Sequence, residues 1–202
     1  MHKARLEAFS DGVIAIIITI MVLELKVPHG ASFTDLQPLL PVFLTYVLSF
    51  VYLGIYWNNH HHLLHAARTV TGRVLWANLH LLFWLSLMPF ATGWMGENHF
   101  APIPTALYGF DLLLCAIAFT LLQQAIVAAD GPASVLARAV GTDRKGLVSR
   151  SAYVIAIPIA FWVPWLATVL FTLVALIWFI PDRRIERELH PQLTGPGATG
   201  AT

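Results

Sequence analysis

The sequence predicts an all-α, polytopic membrane protein with six transmembrane helices and both termini in the cytoplasm. Three observations carry that prediction. Of 202 residues, 57% are hydrophobic and only 11% are charged, against about 25% charged in a soluble domain. Several apolar runs approach or exceed the ~18 residues that mark a helix able to cross a ~30 Å hydrocarbon layer, and the mean hydropathy is +0.70. The cations are also sorted. With the N-terminus inside, Lys3, Arg5, Arg68, Arg73, Arg138, Arg144, Lys145, Arg150, Arg183, Arg184 and Arg187 all fall on the inner side. Only Lys26 of the 12 Lys and Arg falls outside, which is the positive-inside pattern. An odd number of spans would put the C-terminal arginines on the wrong side.

Taken in order, the first helix occupies Arg5 to Val27, with a polar start and a nearly unbroken apolar run from Gly12 to Leu23. A cleavable leader is weighed here and set aside. Ser10 and Asp11 precede the apolar run, and Glu24 and Lys26 sit where a cleavage region is neutral. Residues 28–38, bracketed by prolines, read as a loop. A second helix spans 39–64 and ends in the polar run YWNNHHHLLH. A basic turn around Arg68 and Arg73 leads to a third helix, 74–95, carrying Asn78, His80 and Pro89. After a turn over 96–104, the fourth helix spans 105–128, with Asp111 near its start. Residues 129–150 read as the longest polar connection. The apolar stretch 151–180 is too long for one span and holds Pro158 and Pro164, so it reads as a helical hairpin turning near Pro164. One transmembrane domain over 1–188 and a disordered tail over 189–202, rich in Gly, Thr and Ala, complete the layout. No internal repeat is apparent.

The first helix organises the rest. At ~100° per residue, Phe9, Gly12, Ile16, Thr19, Ile20 and Leu23 fall on one stripe, and Ser10 and Asp11 point elsewhere. From periodicity alone such a stripe reads first as a lipid or core contact. A constriction that gates a pore by dewetting would use the same residues.

Ionisable groups in a bilayer face protein, each other or water. Arg5, Asp11, His60, His61, His62 and Asp111 are the notable ones. Asn58, Asn59 and the histidines of the second helix lie at the depth of Asp11, and a structural polar clamp between the first two helices is preferred to a proton relay. His61 and His65 share a helical face at metal-binding spacing, but no acidic residue completes an HExxH-type site, so no metal is expected. Ser10 lacks the context of a nucleophile, and neither a phosphate loop nor a dinucleotide fingerprint is present. An enzyme is not expected, and no cofactor is. The net charge of +1 gives no case for nucleic acid. Cys115, the 1 cysteine, excludes an intrachain disulfide.

Arg5-x-x-x-Phe9-Ser10-Asp11 resembles the RxxxFSD signature of the transmembrane protein 175 potassium channels, in their prokaryotic branch. Further similar stretches are Thr19 to Pro28, YWNNHH around Trp57 and His61, LSLMPFATGWMGE at 85–97 and IPDRRIE at 180–186. The resemblance implies a homotetramer in a cell membrane, with the first helix of each subunit around a potassium pore. It implies an apolar constriction at Ile16, Ile20 and Leu23, and a selectivity-related hydroxyl ring at Thr19. Arg5, Phe9, Ser10 and Asp11, with Asn58 and His61, would form the polar support. Side-chain rings offer few oxygens to replace an ion's hydration shell, so potassium would be only weakly preferred to sodium. The rival readings are a proton-coupled transporter using Asp11 and the histidines, and a metal-dependent membrane enzyme or sensor built on His61 and His65.

Overall fold

The computed structural model describes residues 3–140 and 143–179, and within them every regular element is helical. The elements are α1 (Lys3–Leu23), a 3-10 helix (Phe33–Leu39), α2 (Leu40–Ala66), α3 (Gly72–Glu97), α4 (Pro102–Asp130), α5 (Val135–Val140), α6 (Arg144–Ala160) and α7 (Pro164–Phe179). Four helices, α1 to α4, are long and apolar enough to cross a membrane, and α7 is apolar but has 16 described residues. The stub IPDRRIE, its arginines and the tail over 189–202 lie outside the described residues.

Several boundaries differ from the sequence reading, each for a local reason. Residues 28–38 are not all loop, because Ser32 and Asp35 start a 3-10 turn. The Ser32 N–H and hydroxyl both donate to Asp35 Oδ2, at 2.9 and 2.7 Å. The turn over 96–104 is shorter than expected, because Pro102 opens α4 at a position where its missing N–H costs nothing. The connection 129–150 contains α5 and the first turns of α6. There Asp143 caps α6 by accepting from the Gly146 N–H at 2.9 Å. Gly131, at φ 88°, ends α4 in a conformation that disfavours side chains. The expected hairpin is present, with α6 ending at Ala160, a turn over 161–163 and Pro164 opening α7.

Helix α3 lies at the centre and packs on α1, α2 and α4, while α6 and α7 pair on the far side of α4. Lipid gives helices no hydrophobic reason to associate, so close approach and buried polar bonds must hold them. Small residues supply the approach: Ala118, Ala125, Ala156, Ala160, Ala167 and Ala175 are buried between helices. Gly96 is the tightest point. A Cβ there would stand 2.8 Å from the Val42 Cα and 2.5 Å from the Thr45 Oγ1 on α2. Buried hydroxyls add bonds. Ser49 of α2 meets Thr92 of α3 at 2.7 Å and Tyr108 of α4 at 2.9 Å. Tyr153 of α6 donates to Tyr52 of α2, which donates to the Phe171 carbonyl of α7.

Candidate functional site

The two faces of α1 have opposite fates. Leu6, Ser10, Ile14, Ile17 and Met21 are buried against the rest of the chain. The stripe is left uncovered: Phe9 is 50% exposed, Ile16 58%, Ile20 43% and Leu23 77%. Gly12 and Thr19 are exposed with them. A groove beside the stripe, between α1 and α3, is lined by Val13, Ile16, Ile20, Phe90, Trp94 and Glu24.

Thr19 is the stripe's polar member. Its hydroxyl donates to the Ile16 carbonyl at 2.9 Å. That bond uses the hydrogen and leaves the oxygen lone pairs as acceptors on an exposed face. The group therefore offers a cation an oxygen and offers an anion nothing.

Behind the stripe a buried polar relay fixes α1. The His60 Nε2–H of α2 donates to Asn78 Oδ1 of α3 at 2.7 Å. The Asn78 Nδ2–H donates to Ser10 Oγ at 2.9 Å, and the Ser10 hydroxyl donates to the Leu6 carbonyl at 2.9 Å. All three side chains are at most 1% exposed. One asparagine thus joins α1, α2 and α3. Asp11 lies to one side, half-buried, and accepts from Trp57 Nε1–H at 3.0 Å. Lys3 donates to the His65 carbonyl at the same end of the bundle.

The polar residues named from sequence are therefore divided. Ser10 and Asp11 bond to α3 and α2, whereas Arg5 and Phe9 are exposed and continue the stripe. Asn58 is half-buried and His61 is exposed. The His61 ring packs between Trp57 and His65, with centroids at 6.3 and 6.2 Å. No group of three or more His, Cys, Asp or Glu converges on a metal position among the described residues. The residues that sequence reasoning did not join to the site are Asn78 and Trp57, while His60, named among the histidines of the second helix, reaches Ser10 through Asn78. The signal for Asn78 was a polar side chain on an apolar helix, whereas Trp57, 46% exposed, carried none.

The opposite end of α1 carries charge. Lys26 Nζ lies 2.6 Å from Glu97 Oε1, and Glu24 packs over Gly93. The hydrogen bond from Lys26 to Glu97, and then the charge of Glu97, hold the ammonium above its ordinary pKa of 10.5. Within α4, neither carboxyl oxygen of Asp111 has a hydrogen-bond partner among the described residues.

Comparison with known proteins gives this arrangement a family. The model of the endosomal/lysosomal potassium channel TMEM175 matches residues 5–89. A potassium channel of Chryseobacterium sp. (strain P1-3) is 57% identical over 189 residues, 94% of this chain and 98% of that one. A potassium channel of Chamaesiphon minutus is 34% identical over 139 residues, 64% of this chain and 68% of that one. The human endosomal/lysosomal proton channel TMEM175 is 35% identical over 96 residues, 41% of this chain and 19% of that one. In fold, the chain is similar to the crystal structure of the Chamaesiphon minutus lysosomal potassium-selective channel TMEM175 homolog. The TM-score is 0.73 at 24% identity, covering 89% of this chain and 97% of that one. The near full-length relationship to the Chryseobacterium protein, with the family match over residues 5–89, makes this chain a member of the TMEM175 channel family.

Proposed function

We propose that this chain is the subunit of a homotetrameric potassium channel of a cell membrane, with four copies of α1 around the pore. Ile16, Ile20 and Leu23 form its apolar constriction, and Thr19 contributes a ring of oxygens. Potassium passes as the permeant ion, weakly preferred to sodium, and no cofactor takes part. Residues 1–188 form one domain that crosses the membrane six times, with α6 and α7 as the last two spans and both termini in the cytoplasm.

The observation that carries this reading is the uncovered stripe. The chain buries one face of α1 and leaves large apolar side chains on the other, so a second surface must cover them or they must line a path. Lipid would suit Ile and Leu, and would leave unused the acceptor oxygen that Thr19 presents in their midst once its hydrogen is bonded to the Ile16 carbonyl. A cation path suits both, because an apolar ring controls wetting and an oxygen ring replaces part of the hydration shell. The names of the bacterial relatives support potassium as the ion. The arrangement of cations supports the orientation, with Lys26 alone at the far end of α1. At ~1.5 Å per residue the 17 residues of α6 extend about 25 Å, close to the ~30 Å core.

The test is ion flux from liposomes holding the purified protein, with potassium, sodium and a bulky organic cation in parallel. Non-saturating flux in the order potassium, sodium, organic cation supports the channel. Uptake only under an imposed pH gradient would replace it with a proton-coupled transporter using Asp11.

A further inference from the structure

A second site stands apart from α1, at the end of the bundle where α6 begins. A narrow cleft of about 40 Å³ opens between α2, α4, α6 and α7. Its inner wall is aromatic, with Tyr56, Phe119, Tyr153 and Trp178, and Arg150 stands among the polar residues that line it. The Arg150 side chain is 24% exposed, so the guanidinium is held inside the protein with one side open.

The bonds of Arg150 all leave from one nitrogen. Nη1 donates to Thr120 Oγ1 at 2.5 Å and reaches Asp143 Oδ2 at 3.4 Å. The hydrogens on Nη2 and Nε have no partner among the described residues, and they form the fork that binds a phosphate in two parallel bonds. Asp143 pairs with Nη1 through Oδ2 at 3.4 Å while its Oδ1 caps α6, so the counter-charge sits on the Nη1 side and leaves the Nη2 and Nε edge open. Two further cations lie on the same helix end. Arg144 is exposed, and Lys145 Nζ stands 5.8 Å over the ring of Trp178, on the rim of the cleft. Trp178 is in turn fixed by its Nε1–H bond to Ser149 Oγ at 2.7 Å.

The surroundings select the kind of anion. Leu147 is 60% exposed and Val148 53% on α6, and Phe179 is 69% exposed at the matching end of α7. Cations, a tryptophan and exposed aliphatic side chains at one level are the composition of a membrane–water boundary. A ligand arriving there is a lipid, and its acyl chains have apolar surface to lie on while its phosphate meets the fork. We propose that Arg150, with Arg144 and Lys145 at the rim, binds the headgroup of an anionic phospholipid and fastens the α6–α7 hairpin to the bundle.

The test is retention of lipid by the detergent-purified full chain in native mass spectrometry, with its thermal midpoint measured in parallel. The probes are phosphatidylglycerol, phosphatidylcholine and inorganic phosphate. Phosphatidylglycerol is expected to be retained and to raise the midpoint, and phosphatidylcholine to do neither. Arg150→Gln and Lys145→Gln are each expected to weaken retention about fivefold, the scale of one cation near an anionic surface. If Arg150→Gln does not fold, Lys145→Gln, on the rim, decides alone. Equal retention of the two lipids, an unchanged Lys145→Gln, or the same midpoint shift from inorganic phosphate would overturn the lipid assignment.

Discussion

The Asn78 amide donates to the Ser10 hydroxyl at 2.9 Å across the α1–α3 interface, and its oxygen accepts from His60 of α2. A single buried side chain therefore sets the rotation of α1, and with it the direction in which Ile16, Thr19, Ile20 and Leu23 face. Asn78→Ala removes two interhelical bonds. At ~0.6 kcal/mol per bond between membrane helices, with a ceiling near ~1.7, the loss is about 1–3 kcal/mol, read as a lower thermal midpoint in detergent. A midpoint equal to wild type would mean that packing alone orients α1.

Gly96 tests the close approach of α2 and α3. A Cβ at that position meets the backbone of Val42, which has no rotamer to yield. Gly96→Ala should lower the midpoint although alanine favours a helix by ~1 kcal/mol. Gly12→Ala, on the exposed stripe with nothing within 4 Å, should leave it unchanged or raise it. The opposite ranking would contradict the packing described for α3.

The stripe was legible in the sequence because a 3.6-residue period states which residues of one helix share a face. The residues so grouped are the ones the chain leaves exposed. The polar relay was not legible, since the period gives no information on which helix lies opposite. Ser10 and Asn78 are 68 residues apart, and nothing local to either names the other. The neighbouring Asn58 and His61 are equally suitable by sequence, but Asn58 is half-buried, His61 is exposed, and neither bonds to Ser10 or Asn78. The helix ends were misjudged where charged residues and prolines were read as breakers. Arg144 and Lys145 open α6, and Pro102 opens α4, because first-turn N–H groups need no partner within the helix.

Asp111 offers a control on buried polarity. With neither carboxyl oxygen bonded among the described residues, Asp111→Asn breaks no hydrogen bond and replaces a buried carboxyl by a neutral amide, so the midpoint should hold or rise. A loss above ~1 kcal/mol, the usual value of one hydrogen bond, would show that the carboxyl acquires a partner in the assembled protein.

The pair at the far end of α1 has a defined pH window. The folded pKa of Lys26 lies above 10.5, so the contribution of the pair is complete below that value and is lost as pH rises through the folded pKa. In an alkaline titration of carbon-labelled lysine side chains, the Lys26 signal should shift above pH 10.5 and return to the ordinary value in Glu97→Gln. Titration of Lys26 at or below 10.5 in the wild type would mean that the contact with Glu97 does not persist.

The central claim, that the exposed stripe of α1 lines the conduction path, is tested most directly by cysteine modification during potassium flux. The sole native cysteine, Cys115, is buried in α4 and gives a silent background. Leu23→Cys places a thiol on the stripe, and Met21→Cys places one on the covered face, where the native side chain is 1% exposed. A membrane-impermeant thiol reagent should block flux through Leu23→Cys and leave Met21→Cys and the wild type unaffected. Flux through Leu23→Cys that persists after its thiol is fully modified would remove the stripe from the ion's path.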